Sequence, residues 1–254
     1  MVILLSPAKR LDFKGKVPDL KLTKPAFNEK AAELAGILKK KSPGELMDLQ
    51  DISRDLAELN YKRFQEWKPS GENEESHPAL FAFRGDAYQG LSAEGLSAGD
   101  LEYAQGHLRI LSGLYGMLRP LDLIMPYRLE MGTSLQGKGF TDLYDYWKDT
   151  LTEGLAAVLK EEGSGILVNL ASEEYFNTID TKKLDAKVIK PVFKEFRNGK
   201  YMFLSYYGKR ARGMMTSYLI RNRVESLEGI KDFREEKYLF DENLSDAGVF
   251  VFTR

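Results

Sequence analysis

The chain contains no cysteine and only two histidines in 254 residues. Without cysteine it forms no disulfide, carries out no thiol catalysis and holds no cysteine-ligated zinc or iron–sulfur cluster. His77 and His107 stand far apart and share no ligand spacing with a carboxylate pair, so no direct metal site is expected. No cofactor is expected either. The chain lacks a phosphate-binding P-loop and a dinucleotide fingerprint, and Gly85, Gly90 and Gly95 recur outside the strand–glycine–helix context that such binding needs. Long apolar runs are missing too. Val2–Leu5 is the strongest one near the start, with no basic region before it, and reads as neither a signal peptide nor a membrane span. A cytoplasmic protein with no membrane partner is the expectation. A one-sided charge balance is also absent: the formal net charge is -1, so any attraction to nucleic acid must come from a local patch.

What is present is ordinary globular material. Hydrophobic residues make up 43% and charged residues 30%, with 14 Phe, 13 Tyr and 2 Trp to fill a core. Val2–Leu5 reads as a buried strand, followed by a Lys- and Pro-rich surface loop to Pro25. Three helices come next. The first is marked by Ala31, Leu34, Ala35 and Leu38, the second by the start signal Ser42-Pro43-Gly44-Glu45, and the third by an apolar face of Leu56, Leu59, Phe64 and Trp67. Residues 69–78 are polar and acidic and read as a loop, and Leu80–Phe83 as a strand. The pattern Leu101, Ala104, Leu108, Leu111 predicts a helix from Ser97 to Gly113, and Asp142–Glu162 a long helix ending at Gly163. Strands are predicted at Ile166–Leu170, Lys187–Phe193, Tyr201–Tyr207 and Val249–Phe252, with Asn198-Gly199 as a hairpin turn and a helix over Arg210–Arg223. The whole of 1–254 reads as one α/β (α+β) domain, a mixed sheet surrounded by helices.

Several segments have the residue types of a site. Ser6-Pro7-Ala8-Lys9 fits the S-x-x-K pattern of acyl-transfer enzymes, but the S-D-N and K-T-G companions are absent. Lys9 beside Arg10 suits an anion site at the sheet's edge. Arg84 and Asp86 flank Gly85 straight after a predicted strand, where α/β sheets bind ligands; a turn-stabilising ion pair is the reading the sequence alone favours. Asn169 through Phe176 has the same form, with Ser172 read as a helix cap and Glu173 as first-turn charge or general base. Lys209–Arg223 carries only basic charge and comes after Tyr206 and Tyr207, a combination suited to phosphate contact and base stacking; Arg212 and Arg223 would share a helical face. Finally Gly113-Leu114-Tyr115-Gly116, flanked by Arg109, Arg119 and Arg128, is similar to the turn of a helix-hairpin-helix, in which glycines let backbone amides approach a phosphate.

Taken in order, SPAK at Ser6–Lys9, FRGDAYQGL at Phe83–Leu91, HLRILSGLYGMLRPLDLIMPYRLEMG at His107–Gly132, NLASEEYF at Asn169–Phe176, IKPVF at Ile189–Phe193 and KRARGM at Lys209–Met214 resemble the YaaA family of bacterial peroxide-stress proteins. The resemblance implies a cytoplasmic protein induced by hydrogen peroxide, which lowers free intracellular iron and thereby hydroxyl-radical damage to DNA and protein. It also implies a single α/β domain with a helix-hairpin-helix element at about 98–125 and a basic cleft for double-stranded or branched DNA. On this sequence the hairpin falls at Ser112–Leu118, with Gly113 and Gly116. The cleft falls at Lys9, Arg84, Arg109, Arg119, Arg128, Lys190 and Lys209–Arg212, including Arg210; Arg10 adds a charge to the family pattern. With no cysteine and two scattered histidines, an indirect route to iron is favoured over sequestration.

Two further readings stand beside DNA binding. One is an enzyme acting on a nucleotide or damaged base, with Lys9, Arg84, Asp86, Asn169, Glu173 and Lys190 as catalytic candidates. The other is an adaptor with no site of its own. Convergence of the Lys9, Arg84, Asn169 and Lys190 side chains discriminates among the three.

Overall fold

The computed structural model describes residues 1–15, 17, 19–69 and 75–254. Its centre is β1 (Val2–Leu5), buried along its whole length, as an apolar run covered on both faces should be. Parallel neighbours flank it: β2 (Leu108–Ser112) on one side and β4 (Ile166–Leu170) on the other. Beyond β2 lies β3 (Gly116–Leu118), antiparallel. Beyond β4 lies β5 (Lys187–Arg197), parallel, which carries β6 (Lys200–Met202) as the second arm of a hairpin. Antiparallel β7 (Leu239–Phe240) joins β8 (Val249–Thr253), which runs parallel to β5. The eight-stranded sheet therefore reads β7-β8-β5-β4-β1-β2-β3, with β6 on β5. It is a mixed sheet within one α/β domain, as the alternation of elements predicts.

Local chemistry sets the helices around it. α1 (Asn28–Lys39) buries Ala31, Leu34, Ala35 and Leu38. α2 (Pro43–Gln50) starts at a capping box in which Ser42 and Glu45 satisfy one another's backbone amides, with Pro43 at the first position. In α3 (Arg54–Glu66) the buried face is Ala57, Asn60 and Phe64, with Trp67 just beyond; Leu56 and Leu59 are exposed, a one-residue rotation from the expected face. Two short helices come next: α4 (Asp86–Leu91) and α5 (Ala98–His107), the latter capped by Ser97 and Asp100. α6 (Leu143–Glu162) buries Leu143, Trp147, Leu151, Leu155 and Leu159 and stops at Gly163, whose φ is +83°. α7 (Ser205–Arg221) crosses α4 with Gly213 against the Ala87 backbone and Gly90 against that of Arg210, where a Cβ on either glycine would meet a carbonyl oxygen.

The expected helix-hairpin-helix is corrected by the structure. Helix ends at His107, and Leu108–Ser112 is strand β2 paired to β1, with Ile3 opposite Leu108. The physical reason is burial: all five residues of β2 are buried, so the segment must satisfy both faces at once, which a strand between two layers does and an amphipathic helix does not. From β2 the chain turns back as a β-hairpin, and the turn, Gly113 to Gly116, is itself buried. Gly116 has φ +71° and lies under the Trp147 ring, while the Trp147 indole donates to the Gly113 carbonyl at 2.9 Å. These glycines thus serve a left-handed turn and close packing.

Three smaller expectations also change. Ala79–Ala82 is a helical turn, and only Phe83–Arg84 is extended, paired with Arg10–Leu11. The strand expected over Tyr201–Tyr207 is short because α7 already begins at Ser205. Of the acidic loop, residues 70–74 lie outside the described residues, and His77–Pro78 pairs with Leu123–Ile124. Asn198 and Gly199, with φ of +52° and +77°, make the predicted tight turn between β5 and β6. Among the described residues no helix is long and apolar enough to cross a membrane.

A cationic crevice as candidate functional site

After β1 the chain's next sheet strand is β2 on one side, and after β4 it is β5 on the other, so the loops leaving the carboxyl ends of β1 and β4 diverge. Such a divergence opens a crevice, the usual ligand position in open α/β sheets. Here the two loops are pinned across its base. The Ser172 amide donates to Ser6 Oγ at 2.8 Å, and the Ser6 hydroxyl donates to Ser172 Oγ at 3.2 Å. Ser172 precedes its short helix as expected, but its hydroxyl makes no capping bond; it serves this fastener instead. Tyr88 of α4 adds a third tie, donating to the Ser6 carbonyl at 3.0 Å.

The crevice encloses about 400 Å³. One wall is apolar, formed by Pro7, Ala8, Ala87, Leu170 and the rings of Tyr88 and Tyr175. Burial drives both phenols well above their ordinary range, so they stay neutral hydrogen-bonding groups. Around them stand five cations, Lys9, Arg10, Arg84, Lys209 and Arg212, against two carboxylates, Asp86 and Glu174. A protein of net charge -1 thus gathers positive charge at one place. Arg212 is the most telling of the five. It is half-buried, burial pushes its guanidinium below the ordinary value, and among the described residues it forms no ion pair. Lys209 likewise has none, whereas Arg84 is held by Asp12 at 3.6 Å and Glu94 at 3.3 Å.

A second basin of about 530 Å³ continues from the first through Ser172, Glu174, Lys209 and Arg212, and extends to Glu173, Lys190, Val192 and Phe203. Lys190 binds Glu173 at 2.8 Å, and that bond holds the carboxyl below the usual range. A carboxyl whose pKa is depressed by folding contributes stability above its unfolded value and loses it as pH falls through the folded one. Lys190→Met should therefore return the Glu173 titration toward the ordinary carboxylate range in a side-chain NMR titration; an unchanged midpoint would show that the pair does not persist in solution.

Of the residues expected at the site, Lys9, Arg84, Asp86, Lys209 and Arg212 converge on the crevice, with Glu173 and Lys190 in the adjoining basin. Asn169 is buried, and its side-chain oxygen accepts from the Ala171 amide at 3.0 Å, shaping the turn after β4. Arg128 lies beside the rim, joined to Lys9 through Glu130 at 2.5 Å on each side. The others are placed elsewhere. Arg109 is buried against the end of α5, donating to the Gln105 and Leu108 carbonyls; burial pushes it down to about 10. Arg119 grips Asp122 at 3.0 Å and the Lys24 carbonyl at 3.1 Å. Gly113 and Gly116 are in the buried turn. Arg210 is drawn to Glu236 at 2.7 Å, and Arg223 lies beyond the end of α7 with Asp100 at 2.8 Å, so it does not share the Arg212 face. Sequence reasoning missed the Ser6–Ser172 fastener and the tyrosine wall. The one available signal was that Ser6 and Ser172 each stand within two residues of the end of a predicted strand.

The fold and site together are those of a mixed α/β protein with a cation-lined crevice at its switch point. The family model described as peroxide stress protein YaaA matches residues 1–244, and the chain belongs to that family. Relatives include UPF0246 proteins of Aromatoleum aromaticum (49% identical over 258 residues, covering 100% of this chain and 99% of the relative) and Paraburkholderia xenovorans (48% over 256 residues, 100% and 98%). Another, from Hahella chejuensis, is 47% identical over 254 residues, covering 100% and 99%.

Proposed function

We propose that the protein acts in the peroxide stress response by binding the phosphate backbone of DNA in this crevice. The observation that carries the reading is the Arg212 guanidinium, which makes no direct ion pair among the described residues, with Lys209 beside it, in a crevice holding five cations and two carboxylates. A desolvated arginine without a carboxylate is unfavourable until an anion arrives, and its planar donor fork matches a phosphate. Iron enters through the same contact. Each phosphate neutralised by lysine or arginine releases condensed counterions, and ferrous iron held along DNA is one of them. Keeping iron from DNA limits hydroxyl-radical damage there.

Titration of a labelled duplex at increasing salt tests the reading. Affinity should fall steeply and without sequence preference, by roughly 0.9 in log–log slope for each phosphate engaged. No binding at low salt, or binding indifferent to salt, would sink it.

A second reading, an enzyme acting on a nucleotide, is favoured by Asp86, which lines the crevice and forms no ion pair among the described residues. A carboxylate free beside cations that hold phosphates suits a general base. On this reading Asp86→Asn abolishes turnover while nucleotide affinity persists.

A further inference from the structure

Outside the crevice, the exposed aromatic rings gather at one place. Phe196, Tyr201 and Phe203 are 54%, 43% and 51% exposed, and all belong to the β5–β6 hairpin or the step from it into α7. Exposed rings this close together need an explanation, because each forgoes the burial its apolar surface favours. The hairpin geometry puts them on one surface. Side chains alternate along a strand, so Lys190, Val192, Lys194 and Phe196 share a face of β5, while Ile189, Pro191, Phe193 and Glu195 on the other are buried. Tyr201 sits directly opposite Phe196 with the ring centres 5.2 Å apart, edge to face. At the other end of the stripe, Lys190 and Val192 line the second basin, as does Phe203. The surface is therefore continuous with the crevice through Lys209 and Arg212.

On the hairpin itself the exposed charge is basic, while Glu173 and Glu174 stand at the basin end. Lys194, Arg197 and Lys200 lie on the hairpin, with Arg197 paired across the strands to Lys200. The one acidic residue there, Glu195, is buried and occupied by Tyr238 and Arg254. We infer that the β5–β6 hairpin is a stacking platform for unpaired nucleotides, which leave the crevice and lay their bases on Phe203, Tyr201 and Phe196 while Lys194 tracks the backbone. Lys194 and Phe196 are neighbours on the strand face, roughly 6.6 Å apart along it. Stacking on exposed rings requires an open base face, which a duplex keeps covered by its neighbouring pairs. A second copy of this chain is a poorer occupant. A two-fold contact over the rings would bring Lys194 against its own counterpart, and like charges across an interface oppose it.

The inference rests on the reading of the crevice as a DNA site and adds a second, separable ligand class. Its test is fluorescence anisotropy of the full-length protein with a labelled single-stranded oligonucleotide and, in parallel, a blunt duplex of the same sequence. Phe196→Ala and Tyr201→Ala remove exposed rings outside both basins and should leave the circular dichroism spectrum and melting curve unchanged. The double variant is expected to lose single-strand affinity by tenfold or more, with duplex affinity held within about twofold. Equal loss on both ligands, unchanged single-strand affinity, or a change from dimer to monomer on size-exclusion chromatography would each overturn the platform. Failure of the crevice reading looks different: the duplex arm shows no salt-dependent binding even in the unaltered protein.

Discussion

Gly213→Ala should destabilise the protein by about 3 kcal/mol or more and remove the crevice with it, a large effect for a single methyl group. At the crossing of α4 and α7, a Cβ on Gly213 would meet the Ala87 carbonyl oxygen, and on Gly90 the carbonyl of Arg210. Both obstacles are backbone atoms inside helices, so neither yields by a rotamer change, and relief comes only from moving the helices apart. α4 carries Asp86 and Tyr88, and α7 carries Lys209 and Arg212, so that movement separates opposite sides of the crevice. Urea denaturation measures the loss. Gly36→Ala is the matched control: Gly36 lies within α1 with open space at its Cβ position, and the same methyl should stabilise by about 0.5–1 kcal/mol. Should Gly213→Ala and Gly36→Ala melt alike, the helix crossing does not hold the site.

The second large effect falls on binding. Arg212→Ala should weaken duplex affinity at least tenfold at low salt, uniformly across sequences, and reduce the salt slope by about one contact. Arg212 is singled out because it lines both basins and, among the described residues, makes no ion pair within 4 Å, Glu173 acting on it only from farther off. Arg210, two positions earlier on the same helix, already holds Glu236. Arg210→Ala should therefore leave affinity within about twofold, although both residues belong to one basic run. Filter binding at two salt concentrations separates the cases, and equal losses in the two variants would mean that general charge, not the crevice, attracts DNA.

Arg210 and Arg212 also show where the sequence stops being informative. Strand and helix periods locate β1, β4, α6 and α7, and the Ser42 capping box and Asn198-Gly199 turn are legible because each depends on neighbours in the chain. The segment at Leu108–Ser112 misleads because Leu101, Ala104, Leu108 and Leu111 keep a helical period across a real boundary at His107. Only the presence of β1 beside it, more than one hundred residues earlier, makes it a strand. The site obeys the same rule. Lys9, Arg84, Asp86 and Arg212 were each visible as candidates, but whether an arginine is free or already paired depends on a partner distant in sequence. Asp122 claims Arg119, Glu236 claims Arg210 and Asp100 claims Arg223. The Ser6–Ser172 fastener joins two loops 166 residues apart and has no local signature beyond the strands that precede it.

The central claim is one of place: DNA phosphates sit at the carboxyl ends of β1 and β4. Backbone amide chemical shifts recorded while duplex DNA is added test it directly. The account predicts that the largest changes fall on Ser6–Arg10, Ser172–Glu174 and Lys209–Arg212, with Gly113–Gly116 unmoved in its buried turn. Changes centred on Gly113–Gly116 and Arg119, with the crevice silent, would contradict it.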